Sequence, residues 1–266
     1  MVYKPGYKKF IEDYFYIVNK SGESVPFILN EIQNKYLAIG TQRDAILKAR
    51  QQGFSSLILA IFTADFLIKN NSRSVIVADT SDNASELLDR VKFYIQSYEE
   101  KKKIKVPLKY NSKYELFNTL CNSRYTIGTA DNSDFGRSKT LTNLHLSEFA
   151  FYRNAEKIMA GALQAVVPEG KVIIETTANG FNYFKEFWTD SELGETGFVP
   201  LFFKASDFYS QEFLEQKKRE LKRLFLQEYP ETPIDAFITS GDTYFEQESL
   251  RLYLQEAINV SPIQAI

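Results

Sequence analysis

The sequence predicts an α/β fold in which helices cover both faces of a mainly parallel sheet. Short apolar runs alternate with helical stretches between residues 45 and 203, and such alternation is typical of parallel sheets. The chain has 266 residues, of which 44% are hydrophobic and 15% aromatic, enough for a sizeable core. Because Cys121 and His145 are the only residues of their types, disulfide frameworks and His- or Cys-rich metal sites are excluded.

Charge and hydropathy narrow the class of protein further. Lys and Arg total 32 and Asp and Glu total 34, so the net charge is -2, which argues against wholesale electrostatic capture of nucleic acid. The longest apolar run, 57–68, holds about 12 residues, whereas a membrane span needs about 20. The first residues also lack the apolar stretch of a secretory signal. We expect a soluble protein of a reducing compartment that does not enter membranes.

The elements follow from the hydrophobic pattern along the chain. The predicted strands are 45–49, 74–79, 124–129, 142–147, 171–177 and 198–203, and the predicted helices are 55–69, 83–98 and 211–225. The composition changes near residue 206, so we expect a core over 1–205 and a small lid or linker subdomain over 206–266. Ligands of parallel sheets bind at the carboxyl ends of the strands, and the polar residues that follow each strand are therefore the candidate site.

The first strand is followed by a partial match to the phosphate-loop pattern G-x-x-x-x-G-K-[ST]. Gly53 takes the second glycine position and Ser55 the position of the Mg²⁺-binding hydroxyl, but Phe54 takes the lysine position and Lys48 that of the first glycine. A lysine on its long stem can reach phosphates from the front of the loop, and backbone N–H groups at the helix N-terminus complete an anion site. The predicted nucleotide-binding residues of this segment are Lys48, Arg50, Gln51, Gln52, Gly53, Phe54, Ser55 and Ser56. Taken alone, the match is equally consistent with a plain strand–turn–helix.

Two further strands end in polar residues. The fourth strand ends at Ser147 and is followed by Glu148. Nucleoside triphosphatases of this architecture often carry an Asp-Glu pair here, the Asp ordering Mg²⁺ through water and the Glu orienting or deprotonating the attacking water. Ser147 brings no charge, so we expect a weaker metal site in which it acts through water. Thr177 and Asn179 follow the fifth strand and are suited to sensing a γ-phosphate, although an N-cap for the next helix is an alternative.

Two isolated residues add weaker signals. The Gln33 amide carries both a donor and an acceptor and so matches an adenine edge. Arg137 precedes the strand that ends at Ser147 and is a candidate arginine finger for transition-state charge, with Arg124 and Arg153 as rivals. An exposed loop arginine is the plainer interpretation of Arg137.

In this order, the features resemble the ATPase domain of bacteriophage terminase large subunits, the motors that pump DNA into procapsids. The resemblance runs from about residue 10 to 245 and is most specific at 25–33, 48–55, 147–148 and 176–180. Some members of that family place the phosphate-loop lysine at the front of the loop. The resemblance implies Gln33 as adenine reader, Lys48 as phosphate lysine, Glu148 as catalytic carboxylate, Thr177 and Asn179 as coupling motif, and Arg137 as finger acting on a neighbouring subunit.

The resemblance also implies cofactors and partners. These are ATP and Mg²⁺, double-stranded DNA, a homo-oligomeric ring, a portal protein and a small terminase subunit, at the procapsid vertex in the host cytoplasm. The family usually continues into an RNase H-like nuclease, and this chain ends where that domain would begin. Because Asp242, Glu246 and Glu248 do not form a nuclease centre by themselves, we expect no DNA cleavage by this chain alone.

Two other functions compete with a packaging motor. A helicase-like ATPase of another family also carries a glutamine upstream of its phosphate loop, but such enzymes usually need two tandem cores and this chain has room for one. A nucleotide-binding scaffold without turnover would explain the departures at Phe54 and Ser147.

Overall fold

A mixed sheet organises the residues that this computed structural model describes, which are 6–131, 140–238 and 252. The strands are β1 (Tyr16–Val18), β2 (Ser24–Pro26), β3 (Arg43–Lys48), β4 (Arg73–Ala78), β5 (Leu108–Asn111), β6 (Glu115–Asn118), β7 (Ser123–Thr129), β8 (Leu141–Ser147), β9 (Val166–Thr176) and β10 (Val199–Phe203). The helices are α1 (Gly6–Tyr14), α2 (Glu31–Ile39), α3 (Phe54–Ile68), α4 (Ser81–Lys102), α5 (Ala155–Ala165), α6 (Tyr183–Glu192), α7 (Gln211–Leu221), α8 (Phe225–Glu228) and α9 (Pro233–Ile238). No helix of these described ranges has the length and apolar character that crossing a membrane requires.

The strand order in the main sheet is β10-β3-β9-β8-β4-β7-β6-β5. All neighbours from β10 to β7 are parallel, whereas β6 and β5 extend the sheet with antiparallel pairing. The predicted α/β class with a mainly parallel sheet is thus confirmed. The antiparallel edge was not predicted, because each of its two outer strands has only 4 residues and leaves little periodic signal.

Both faces of the sheet are buried under helices. On β3, Ile46 packs into the core shared with α2, α3 and α4, while its neighbours Ala45 and Leu47 pack into the core on the other face with α5 and α6. This alternation follows from the two-residue period of a strand. Helix α3 is buried along almost its whole length because it lies in the first of these cores, which explains why its sequence is apolar on every side.

The helix predicted over 211–225 is wrong as a single element. Helix α7 ends at Leu221, and Lys222 has a φ of 50°, a left-handed conformation that a right-handed helix cannot continue through. A short 3-10 turn and α8 follow. The break lets Phe225 and Tyr229 pack against Ala49 of the loop that follows β3, so α8 and the residue that follows it lie directly on that loop. Its separation as a subdomain over 206–266 remains a prediction.

Candidate active site

Three charged side chains meet where β3, β8 and β9 end. Lys48 is the last residue of β3, Glu148 follows β8, and Glu175 is the penultimate residue of β9. The Lys48 Nζ lies 3.0 Å from Glu148 Oε1 and 3.2 Å from Glu175 Oε2. Lys48 and Glu175 are buried, whereas the Glu148 side chain is 38% exposed. Lys48 therefore lies between a carboxylate that solvent reaches and one that it does not.

The pKa values of Lys48 and Glu175 are set by the balance between burial and charge pairing. Burial alone would lower the pKa of Lys48, but attraction by Glu148 and Glu175 outweighs it and raises the pKa above its ordinary value. Burial alone would raise the pKa of Glu175, but the charge of Lys48 and hydrogen bonds from His145 and Ser147 lower it to about 2. Lys48 and Glu175 therefore form a buried ion pair at neutral pH.

Glu175 is a site residue to which the sequence reasoning assigned no role. Its Oε1 accepts hydrogen bonds of 2.7 Å from both Ser55 Oγ and Ser147 Oγ, and His145 Nε2 lies 3.2 Å from the same atom. The side chain is fully buried. A charged residue near the end of an otherwise apolar strand was the available signal, since buried carboxylates are rare unless paired.

The backbone of Glu148 is in an unusual conformation for a residue with a side chain. Its φ is 54° and its ψ 45°, at the start of a 3-10 turn over Phe149–Phe151. The Glu148 N–H donates to the Glu175 carbonyl at 2.7 Å, and Glu148 Oε2 accepts from the Thr177 N–H at 3.3 Å. Non-glycine residues held in this region cost free energy and cluster at functional sites. The strand end thus aims the carboxylate at Lys48.

Hydrogen bonds join the loop between β3 and α3 to the start of α2. Gln33 Nε2 donates to the Gly53 carbonyl at 2.8 Å, and its Oε1 accepts from the Asn30 N–H at 3.0 Å. Asn30 is the N-cap of α2 and forms a capping box with Gln33. Its Nδ2 also donates to the Gln52 carbonyl at 3.3 Å. Because backbone groups occupy both ends of the Gln33 amide, its contacts indicate a role in holding the loop. Its adenine-reading role remains a prediction.

Gly53→Ala should destabilise this loop by more than a glycine substitution elsewhere with the same backbone strain. Gly53 has a φ of 83°, and an added Cβ would lie 2.8 Å from Gln33 Nε2. Left-handed backbone costs an alanine roughly 1–2 kcal/mol, and displacing Gln33 should cost about a further 1 kcal/mol for its lost hydrogen bond. The matched control is Gly22→Ala, where φ is 81° and nothing lies within 4 Å. Equal losses of the free energy of unfolding in urea would show that the Gln33 contact does not stabilise the loop.

Phe54 does not present its side chain to the site. The ring is buried, with its centroid 4.6 Å from that of Phe203 and 5.7 Å from that of Tyr36. Any contact of Phe54 with a ligand would therefore use its backbone. The geometry also explains the departure from the usual pattern, because a lysine built into this aromatic core would be buried without a partner.

Two of the other predicted loop residues, Arg50 and Gln52, contact the segment that follows β10. Arg50 forms an ion pair with Glu228, with Nη1 2.9 Å from Oε2. Gln52 is buried and donates through Nε2 to the Lys204 carbonyl at 3.0 Å. Gln51 is exposed with a φ of 57°, and Ser56 is half-buried with its carbonyl 3.3 Å from the Tyr94 hydroxyl. Arg50 could neutralise a bound anion only by breaking its ion pair with Glu228.

The predicted coupling residues lie beside Glu148. Asn179 is exposed, and its Nδ2 donates at 3.3 Å to the carbonyl of Ala150, which belongs to the turn after Glu148. Asn182 donates to the same carbonyl at 2.7 Å and caps α6, so the N-cap is Asn182 and neither Thr177 nor Asn179. Gln227 Nε2 donates to the Ala178 carbonyl at 3.1 Å. These contacts link Glu148, the end of β9 and the C-terminal segment.

Other residues singled out from the sequence either lie outside the described ranges or lie away from this site. Arg137 lies outside the described residues, as do Asp242, Glu246 and Glu248. Arg124 lies near the start of β7, at the opposite edge of the sheet from the site, and pairs with Glu115. Within ranges 6–131 and 140–238, no group of three or more His, Cys, Asp or Glu side chains is arranged to hold a metal ion.

No protein-family model matches the sequence, but several solved structures share the fold. The large terminase ATPase domain of Thermus phage P74-26 matches with a TM-score of 0.60 and 19% identity, over 76% of this chain and 92% of that one. The large terminase of bacteriophage HK97 matches with a TM-score of 0.61 and 16% identity, over 96% of this chain and 51% of that one. A third large terminase, from another thermophilic bacteriophage and in complex with ATP-γ-S, matches with a TM-score of 0.56 and 16% identity, over 75% of this chain and 51% of that one. This third protein, the thermophilic-phage terminase, also matches in its complex with ADP.

These similarities confirm the fold that the resemblance implied. The chain has the fold of the ATPase domains of phage large terminases, with the mainly parallel sheet described above. The chain covers about half the length of the HK97 large terminase and of the thermophilic-phage terminase.

Proposed function

We propose that this chain is the ATP-hydrolysing motor domain of a viral terminase large subunit that moves double-stranded DNA into a procapsid. The observation that carries the proposal is the Lys48–Glu148–Glu175 group at the carboxyl ends of β3, β8 and β9, beside a loop that opens α3. Ligands of parallel sheets bind at this edge. The thermophilic-phage terminase, which has the same fold, binds ADP and ATP-γ-S, and this supports ATP as the ligand of this chain.

In the proposed reaction, water attacks the γ-phosphate in line with the bond that breaks. Lys48 exchanges Glu148 for phosphate oxygens, and backbone N–H groups of Gly53 and its neighbours complete the anion site. Glu148, partly exposed, then orients the water and accepts its proton. Thr177 and Asn179 relay the state of the phosphates to the turn after Glu148, since Thr177 and Asn179 contact Glu148 and that turn directly.

The hydroxyls of Ser55 and Ser147 fit a magnesium ion. Both lie 2.7 Å from the buried carboxylate oxygen Glu175 Oε1, and oxygen donors are the ligands that Mg²⁺ prefers. Ser55 would hold the ion directly and Ser147 through water, with phosphate oxygens completing the set, because Mg²⁺ in such sites keeps waters and substrate phosphates as ligands. When bound, Mg²⁺ neutralises charge on the β- and γ-phosphates.

The remaining parts of the proposal concern recognition and assembly. Gln33 reads adenine, and residues 206–266 act as the lid and linker. The chain works as a homo-oligomeric ring on double-stranded DNA, with a portal protein and a small terminase subunit, at the procapsid vertex in the host cytoplasm. Arg137 of one subunit completes the site of the next.

Mixing two inactive variants tests both hydrolysis and the ring. The Arg137→Ala chain keeps Glu148 and the rest of its own site but lacks the finger arginine. The Glu148→Gln chain keeps the finger arginine but lacks the catalytic carboxylate. Arg137→Ala should release phosphate from ATP at least about 10³-fold more slowly than the wild type, because finger arginines contribute 10³-fold or more. Glu148→Gln should release it about 10²–10⁴-fold more slowly, the range for removing a general base. The mixture should regain turnover, since Arg137 of the second variant reaches the site of the first.

The wild type at increasing protein concentration is the control. Turnover per chain should rise as rings assemble and should rise again with double-stranded DNA. A mixture no more active than its components, together with wild-type turnover unaffected by dilution, would exclude a finger acting between subunits. Background phosphate release by the wild type would instead favour a scaffold that binds nucleotide without turnover.

A further inference from the structure

Glu175 lies beside Ser147 on the neighbouring strand, and Ser147 is the position where a metal-site carboxylate is expected but absent. On the parallel strands β8 and β9, Ser147 and Glu175 are direct partners, and partners at the same level of neighbouring strands are about 4.8 Å apart with side chains on the same face. Ser147 occupies the position where related triphosphatases often carry an Asp, and it is neutral. The negative charge absent at position 147 is thus present at position 175.

The contacts of Glu175 go beyond neutralising Lys48. Glu148 already pairs with Lys48 at 3.0 Å, and the Glu175–Lys48 contact uses only Oε2. The other oxygen, Oε1, accepts the protons of Ser55 and Ser147 at 2.7 Å each. A hydroxyl whose proton is committed to a carboxylate leaves its oxygen lone pairs to act as ligands or as acceptors of a metal-bound water. Glu175 therefore orients both predicted metal-site hydroxyls in the same way.

The depth of Glu175 strengthens its effect. The side chain is fully buried, and charges act more strongly where water does not screen them. Outer-shell carboxylates that orient metal ligands raise the ligand basicity and fix the ligand direction. A buried carboxylate touching two hydroxyls can therefore supply the charge that a direct aspartate supplies elsewhere.

We propose that Glu175 is a positioning residue of the magnesium site, the relocated counterpart of the carboxylate that Ser147 lacks. It orients the hydroxyls of Ser55 and Ser147 and provides the buried negative charge of the site. The inference rests on the proposed nucleotide-binding function and adds a residue to it. As a consequence, a carboxylate at position 147 of β8 should be able to replace the carboxylate at position 175 of β9.

Returning the charge to β8 tests this relocation directly. The variants are Glu175→Gln and the double variant Ser147→Asp/Glu175→Gln, compared with the wild type. The probes are ADP binding with and without Mg²⁺, measured by titration calorimetry, and Mn²⁺ binding in the presence of ADP, measured by electron paramagnetic resonance. Mg²⁺ should increase the ADP affinity of Glu175→Gln by about 10–100-fold less than it increases that of the wild type. The Mn²⁺ affinity of the variant should fall by the same factor, the usual effect of removing an outer-shell partner. The double variant should recover most of the Mg²⁺-dependent increase in ADP affinity and most of the Mn²⁺ affinity.

Thermal unfolding of each variant separates this role from support of the fold. Should Glu175→Gln not fold, Ser147→Ala replaces it, because this change leaves both ion pairs of Lys48 in place. It should lower Mn²⁺ affinity in a chain that still folds, with only the fall in Tm that the lost Ser147–Glu175 hydrogen bond causes. A folded Glu175→Gln or Ser147→Ala chain with the wild-type Mg²⁺ gain would overturn the proposal, and so would a folded double variant that recovers nothing. A wild-type chain that binds no ADP with or without Mg²⁺ would instead overturn the proposed function.

Discussion

Replacing Lys48 with methionine should slow ATP hydrolysis by at least about 10²–10³-fold, the usual effect of removing one group that stabilises transition-state charge. Lys48 is the cation nearest both Glu148 and Glu175 in the described part of the chain, at 3.0 and 3.2 Å. No lysine at position 54 can substitute for it, because that position holds a buried phenylalanine. Phosphate release from saturating ATP, together with ADP affinity, measures the loss.

The same substitution should also weaken the fold, which calls for a matched variant. Removing Lys48 leaves Glu175 buried without its cation, and breaking a buried pair costs about 3–5 kcal/mol. In Lys48→Met/Glu175→Gln both charges are gone, so most of that free energy of unfolding should return while hydrolysis stays lost. If the double variant is stable and turns over ATP at the wild-type rate, Lys48 is not the phosphate lysine and the motor assignment fails with it.

Replacing Glu148 with glutamine should separate hydrolysis from binding. Turnover should fall by about 10²–10⁴-fold, the range for removing a general base. Nucleotide affinity should stay the same or increase, because a neutral amide competes less than a carboxylate for Lys48, which now lies 3.0 Å from Glu148 Oε1. The fold should be unaffected, since Lys48 and Glu175 remain paired at 3.2 Å.

Single-turnover phosphate release and ADP titration together measure this separation. Glu156→Gln is the control, because Glu156 is an exposed residue in the first turn of α5 and its substitution removes the same charge from the chain. A Glu148→Gln chain that loses nucleotide binding in proportion to its turnover would show that Glu148 supports the site without taking part in proton transfer.

The structure gives a physical reason for the position of the proposed phosphate lysine, Lys48. Residue 54 begins α3 with its side chain in the core between Tyr36 and Phe203, whereas residue 48 ends β3 beside Glu148 and Glu175. An ammonium needs its counter-charges close by when it is buried, and only the front of the loop offers them. The departure from the standard pattern thus accompanies the aromatic packing of α3.

The sequence by itself determined the fold class and the edge of the sheet on which the site lies. Strand and helix periodicities are local properties of the chain, and they predicted β3, β4, β7, β8, β9 and β10 to within a few residues, although β9 begins earlier than expected. Because strands of a parallel sheet present their carboxyl ends at one edge, the positions of Lys48, Ser147 and Glu148 followed from the same pattern.

Tertiary structure alone decided which side chains meet. Lys48 and Glu148 are 100 positions apart, and Ser55 and Glu175 are 120 apart. Both pairs meet because β3, β9 and β8 are consecutive strands of the sheet and end at the same edge. The use of Gln33 to hold Gly53, and the turning of Phe54 into the core, likewise depend on packing between elements distant in the chain. Local periodicity carries no information on strand order, so the partners of the central carboxylate, Glu175, became known only once the strands were side by side, although its charge at the end of an apolar strand was visible in the sequence.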